Sequence, residues 1–569
     1  MEDYGLTTQV ARLIWSQRYR HGGTAEADIH ATWQRVARAL AAAEPREQPI
    51  WAGRFESILR NFHFLPGGRI MAGAGTPHRV TLLNCFVMGE IEDSIPGIFR
   101  ALQEGAITMQ QGGGVGYDFS TLRPHGVAAR AAGGIASGPV SFMNVWDAMC
   151  ATIQSTGARR GAMMATLHCG HPDIGMFIAA KSAPNILTHF NLSVLVTDDF
   201  MHAANADAPW KLRFPSMAPF LAEREVQAAS LWNDLMRSSF TTGEPGVLFI
   251  DRINKMNNLH YCEQISATNP CGEAPLPPYG ACDLGSFNLT ALVRNPFTPQ
   301  ARLDEDELDR IVPIATRMLD NVLDITQYPL PRQREEALAK RRIGLGITGL
   351  ADALIMLGLQ YGEDNAVAFA ARIMRRICHL AYQTSVSLAQ EKGCFPAYRR
   401  DAYLAAPFIR ALPEALRDAI SRDGIRNSHL LAIAPTGTIS LLAGNISSGA
   451  EPVFAADATR TILDAMRQRQ TIPVTSHAVR LWRETHGTGT LPPAFVTATQ
   501  LAPAKHLVMQ AALQTHIDQA IAKTINLAPG ISFDEFSGIY RQAHALGLKG
   551  CTAFPSRESR GSIITSVLK

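Results

Sequence analysis

The stretch TNPCGEAPLPPYGACDLGSFNL (268–289) sets Asn269, Cys271 and Glu273 at alternate positions and places a second cysteine at Cys282. In an extended segment, side chains two apart point the same way, so these three are expected to face one pocket. Pro270 and Gly272, between them, suit a tight loop tip better than a long strand. A carboxylate there can take a proton from a hydroxyl, and an amide can orient a second hydroxyl. A nucleophilic cysteine would call for a histidine or cation beside it, and none adjoins Cys271. A thiol can also carry a hydrogen atom, a role that needs no thiolate. The local chemistry leaves the choice open.

With 569 residues, 46% of them hydrophobic, the chain can bury a large core in two or more domains or in one large barrel with an appendage. A net charge of +3 is small for that size and gives no support for nucleic-acid binding. The start, MEDYGLTTQVARLIW, has no basic leader before an apolar core, so no signal peptide is expected. IGLGITGLADALIMLGL (343–359) is too short and glycine-rich for a membrane span and contains Asp352, so a buried segment is expected. Nine cysteines without a CxxC pair form no secreted disulfide framework. The expected location is the cytoplasm, and a disulfide there is expected to be catalytic.

Residues 1–78 read as a helical domain. Thr24 is a possible cap for a segment whose Ile29, Trp33, Val36 and Leu40 share a face, and FLPGGRIMAGAGT (64–76) breaks the helical pattern. LLNCFV (82–87) reads as a buried strand carrying Cys85, by itself a small core residue. QGGGVGYDFSTLRP (111–124) invites a dinucleotide-fold reading, but what precedes it looks helical and DFSTLRP does not continue as a helix. Glycine that lets backbone approach a nucleotide is explanation enough. Arg159 and Arg160, between glycines, suit a loop that meets phosphates or bases, and two solvated charges are the bland alternative. Cys169 and His171 do not make a zinc site, and no protein-held metal is expected. Residues 307–326 read as a helix, and Arg341 and Arg342 are expected to face solvent. In RNSHLLAIAPTGTISLLAG (426–444), LLAIA reads as a buried strand, PTGT as a turn and ISLLAG as a helix start. Such a turn presents backbone N–H groups to an anion, or simply caps the helix.

At 269–273 (NPCGE), 281–289 (ACDLGSFNL), 435–441 (PTGTISL) and 447–454 (SSGAEPVF) the sequence resembles the ribonucleotide reductases, most closely the adenosylcobalamin-dependent class II enzymes. The resemblance covers nearly the whole chain. It implies a ten-stranded α/β barrel with a central finger loop over residues 79–569, where periodicity alone supports only a large α/β domain. It further implies that Cys271 carries a thiyl radical, Glu273 accepts a proton, Asn269 orients the sugar, and Cys85 and Cys282 form a redox-active pair. Asn84, Gly114, Pro435, Thr436, Gly437, Thr438 and Ser440 would bind the ribonucleotide, and Arg123, Arg159 and Arg160 would belong to the effector loop. The cofactor implied is adenosylcobalamin. The partners implied are deoxynucleotide or ATP effectors, a thioredoxin or glutaredoxin-like reductant, and a second copy in a homodimer.

No adjacent tyrosine pair of the class I kind occurs, and SRESRGSIITSVLK (556–569) lacks a class III radical-glycine context. The DxHxxG pattern of base-off cobalamin enzymes is also missing, since DIHATW (28–33) lacks the glycine. The departure from the family is the tail: no cysteine pair follows Cys551. Re-reduction would then fall to a small redox protein or a separate chain, so a split enzyme and a nucleotide-binding regulatory paralogue stand as alternatives. Another radical enzyme of the same barrel should lack PTGTIS.

Overall fold

The computed structural model describes residues 6–22, 26–127, 134–153, 161–214, 224–463, 469–555 and 564–566. Helix Ile29–Ala41 starts where Asp28 accepts a hydrogen bond from the Ala31 amide (3.0 Å), and it buries Ile29, Trp33, Val36 and Leu40. The expected cap, Thr24, lies outside the described residues. The buried stripe packs on helix Gln48–Leu59 and on the long helix Glu305–Ile325, which ties the N-terminal helices to the α/β part.

That part is built on a large mixed sheet. Strands Cys85–Val87, Gly114–Asp118, Met163–His168, Phe190–Val196 and Gly246–Phe249 run parallel in that order. A second parallel set begins with Ala281–Asn288 and Ile343–Thr348 and ends with Thr524–Leu527 and Gly550–Pro555. LLAIA forms only single bridges, Leu345 to Leu431 and Ile433 to Ile521, yet these carry the pairing from one end of this set to the other. The two sets meet antiparallel at both seams, Cys282 opposite Cys85 and Cys551 opposite Val247. The pairings therefore run through ten segments and return to their start. The order around QGGG is helix Ile95–Gln110, then strand Gly114–Asp118, the reverse of what a dinucleotide fold requires.

Inside the ring, Cys85, Val87, Cys282 and Leu284 pack with the small residues Ala267, Ala274, Ala432 and Ala434. Ala432 and Ala434 leave room for a hairpin that carries Ala267 and Ala274 and whose strands pair Thr268 with Pro275. Its backbone crosses strand Gly114–Asp118 so closely that a Cβ on Gly116 would fall 1.9 Å from the Thr268 carbonyl oxygen. Only glycine fits there.

Outside the ring the expectation for Arg341 and Arg342 is overturned: both are buried. Arg341 donates to Asp320 (2.9 Å) and to both oxygens of Asp324, and Arg342 pairs with Glu263. A buried guanidinium survives only with such partners, which sequence spacing does not reveal. Among the described residues no helix is long and apolar enough to cross a membrane, and no group of three metal-ligating side chains occurs.

Burial alone would raise the Asp320 pKa, but Arg341 and Arg426 outweigh it and hold the carboxyl below its usual range. Its contribution to stability is therefore complete above the ordinary aspartate value and lost as pH falls through the lowered one. Asp320→Ala takes from Arg341 and Arg426 one of the two carboxylates they share and should cost about 3 kcal/mol, read as a fall in the urea midpoint at neutral pH.

Candidate active site

The hairpin tip is a turn rather than an extended run. Gly272 N donates to Asn269 O (3.1 Å) and Asn269 N to Ala274 O (3.3 Å). The tip is held from both halves of the ring: Asn191 Nδ2 donates to Pro270 O (2.8 Å), and Ala520 N donates to Glu273 O (3.0 Å). Asn269, Cys271 and Glu273 all border one cavity of about 320 Å³, joined there by Asn84, Cys85, Gly114 and the run Pro435–Thr438. So ten of the residues named from sequence meet in one place.

Within it, Asn269 Oδ1 accepts from the Ala274 amide (3.0 Å) while its Nδ2 donates to Cys85 Sγ (3.1 Å). Cys85 Sγ in turn donates to Glu273 Oε1 (3.7 Å). The other carboxylate oxygen, Oε2, is buried with no partner. A buried acceptor in that condition is costly unless a ligand hydroxyl meets it or the group holds a proton. Burial pushes the Glu273 carboxyl above its usual range, against the opposing hydrogen bonds from Asn269 and Cys85. Burial also raises Cys85 well above the usual thiol range, reinforced by the nearby Glu273 charge, and raises Cys282 with help from Asp283. Both are therefore neutral thiols, able to give up hydrogen. Cys271 differs from them in being exposed at the tip.

Cys282 does not border the cavity, but it is the direct cross-strand partner of Cys85, and its thiol donates to the Asp283 carbonyl (3.1 Å). Thr436 adopts φ +53° at the start of helix Gly437–Leu442. Its hydroxyl is bonded to Thr348 and Ser440 (both 2.9 Å) and accepts from the Gly449 amide (2.8 Å). That network fixes the turn, and Ser440 lies behind it, off the cavity wall. Arg123 is elsewhere, paired with Asp93 at 2.8 Å. Arg159 and Arg160 lie outside the described residues. Gly112, from the glycine-rich stretch 111–124, also lines the cavity, and so does Arg69, which sequence reading passed over. The signal was there in GGR (67–69), an arginine beside glycines like the pair at 159–160.

A second cavity, of about 910 Å³, lies against the same tip, and Pro270, Cys271 and Pro435 border both. Its wall carries Lys181, Lys523 and Lys549. Burial lowers the Lys549 ammonium to about 8, and its Nζ donates to the Asp518 carbonyl (2.6 Å).

Residues 83–554 match the ribonucleotide reductase barrel domain, and residues 5–79 match the ribonucleotide reductase all-alpha domain. The chain belongs to the ribonucleotide reductase family. Among curated relatives, a vitamin B12-dependent ribonucleoside-diphosphate reductase of Mycobacterium tuberculosis (strain CDC 1551 / Oshkosh) is 39% identical over 558 residues, covering 94% of this chain and 76% of the relative. The enzyme of that name from Thermoplasma acidophilum is 34% identical, covering 91% of this chain and 66% of its own length. A ribonucleoside-diphosphate reductase subunit alpha of Chlamydia pneumoniae is 28% identical, covering 74% of this chain and 45% of its own.

Mild oxidation with diamide is expected to link Cys85 to Cys282, since these two of the nine cysteines face each other across the seam. Peptide mapping checks it. A Cys85–Cys271 link in its place would contradict the register.

Proposed function

We propose that this chain reduces ribonucleoside diphosphates to 2′-deoxyribonucleotides by a thiyl-radical route that depends on adenosylcobalamin, and so supplies DNA synthesis and repair. The observation that carries the reading is the convergence of Asn84, Cys85, Asn269, Cys271, Glu273 and Pro435–Thr438 on one nucleotide-sized cavity. The relatives named vitamin B12-dependent support the cofactor.

The larger cavity suits a corrin. Gln514, on its wall, has a buried Oε1 without a partner, and a corrin rim carries carboxamide N–H donors to meet it. Gln514 and Lys549 would hold the rim there. When bound, adenosylcobalamin supplies the initiating radical chemistry. The residues do the rest. Cys271, bordering both cavities, carries a hydrogen atom between them, and as a thiyl radical it takes the 3′-hydrogen of the ribose. Glu273 Oε2 accepts the 3′-hydroxyl proton, and Asn269 orients the sugar. The neutral Cys85 and Cys282 thiols protonate the departing 2′-hydroxyl and supply two electrons. One ribonucleotide and one dithiol thus become one deoxyribonucleotide, one disulfide and one water. The dithiol is restored by a thioredoxin or glutaredoxin-like protein, which suits a cytoplasmic location. Deoxynucleotide or ATP effectors act through the loop of Arg159 and Arg160 with Arg123. Ile95, Phe99 and Val145, exposed on helices Ile95–Gln110 and Gly138–Thr152, support a homodimer.

The decisive test is anaerobic: protein, adenosylcobalamin, dithiothreitol and each ribonucleoside diphosphate, scored for deoxyribonucleotide. Product is expected, and Cys271→Ser should abolish it while nucleotide binding persists. Absence of product from the unsubstituted protein would defeat the reading. A proton acceptor must be ionised, so turnover should rise with pH along a limb lying above the ordinary glutamate value of 4.5, because burial raises Glu273. Glu273→Gln should remove that limb and slow turnover roughly 10²–10⁴-fold.

A further inference from the structure

The smaller cavity is almost without charge. Among the described residues that line it, Arg69 is the one cation and Glu273 the one carboxylate, and burial holds Glu273 toward its neutral form. A ribonucleoside diphosphate brings two or more negative charges into this space. Anionic oxygens taken from water without an opposing charge are strongly disfavoured. Backbone N–H groups at residues 437–439 offer dipoles, but the Thr436 and Ser440 hydroxyls beside them are already committed to each other and to Thr348.

Arg69 is built into the wall. It lies on the short helix Gly68–Gly73, half-buried, with its guanidinium laid against the backbone of Gly112. A Cβ at Gly112 would stand 2.6 Å from both Arg69 Cζ and Nη1, and the φ of +104° at that position independently favours glycine. Asn84, also on the wall, has a buried Oδ1 with no partner, so a second recognition group awaits a donor.

We infer that Arg69 is the specificity residue for the phosphate end of the substrate: its guanidinium pairs with the diphosphate, and the Gly112 cradle holds it in place. The inference rests on the ribonucleotide reading above and deepens it. A planar fork of N–H donors matches two phosphate oxygens at once, which an ammonium does not.

The test uses the full chain with adenosylcobalamin and dithiothreitol, comparing the unsubstituted protein with Arg69→Gln and Arg69→Lys. Arg69→Gln should raise KM for every ribonucleoside diphosphate roughly 10- to 100-fold, the worth of one charged hydrogen-bonded contact. kcat should stay within about threefold, as expected for an interaction made equally in ground and transition states. Arg69→Lys should recover part of the loss. Competitive inhibition by the unphosphorylated nucleosides should be the same in all three proteins. An active Arg69→Gln protein with unchanged KM would overturn the inference and leave the proposed reaction standing. So would nucleoside inhibition weakened as much as diphosphate binding, because the guanidinium would then be reading the base. An unsubstituted protein that makes no deoxyribonucleotide would overturn the proposed reaction, and this inference with it.

Discussion

A loop that carries polar side chains into the middle of a ring of strands must have its own backbone satisfied there. The hairpin 267–276 meets that demand by pairing with itself and then borrowing from both halves of the ring, through Asn191 on one side and Ala520 on the other. Much of the interior follows from that. The ring wall must be small where the loop passes, hence Ala432, Ala434 and the glycine at 116. The tip cannot drift, because two independent hydrogen bonds anchor the carbonyls of Pro270 and Glu273. The distances between Asn269, Cys85 and Glu273 are thereby set by the scaffold rather than by the side chains themselves.

The same confinement sets the electrostatics. Thiols and a carboxyl placed in this interior are driven toward their neutral forms, which for hydrogen-transfer chemistry is an advantage. Charge is kept on the outside of the ring, where Arg341 and Arg426 compensate Asp320 and Asp324, and Arg342 compensates Glu263. The protein thus separates two kinds of buried polar group: neutral and reactive inside, ionised and mutually satisfied outside.

Much of this was legible from the chain. NPCGE and PTGT named residues that do share a cavity, because short glycine- and proline-rich loops with chemistry-bearing side chains are read locally. The helix at 29–41 and the strand at Cys85 followed from periodicity and β-branched content. The facing of Cys85 and Cys282 came from resemblance alone, since a seam between residues almost two hundred apart has no local signature. Arg341 and Arg342 were misjudged for the same reason: their carboxylates come from distant segments, so a pair of arginines looks solvated when read by itself. LLAIA was read as a full strand, yet only alternate residues bridge its neighbours, a distinction that composition does not hold. Arg69 was passed over because GGR resembles an ordinary helix breaker until Gly112 is brought against it.

The tip shared by the two cavities has one more consequence. Pro270 and Cys271 stand between the two cavities and line each of them. Two large molecules can occupy neighbouring rooms with one cysteine bordering both. Reactivity can then pass from one room to the other by way of a single side chain, without either occupant crossing over.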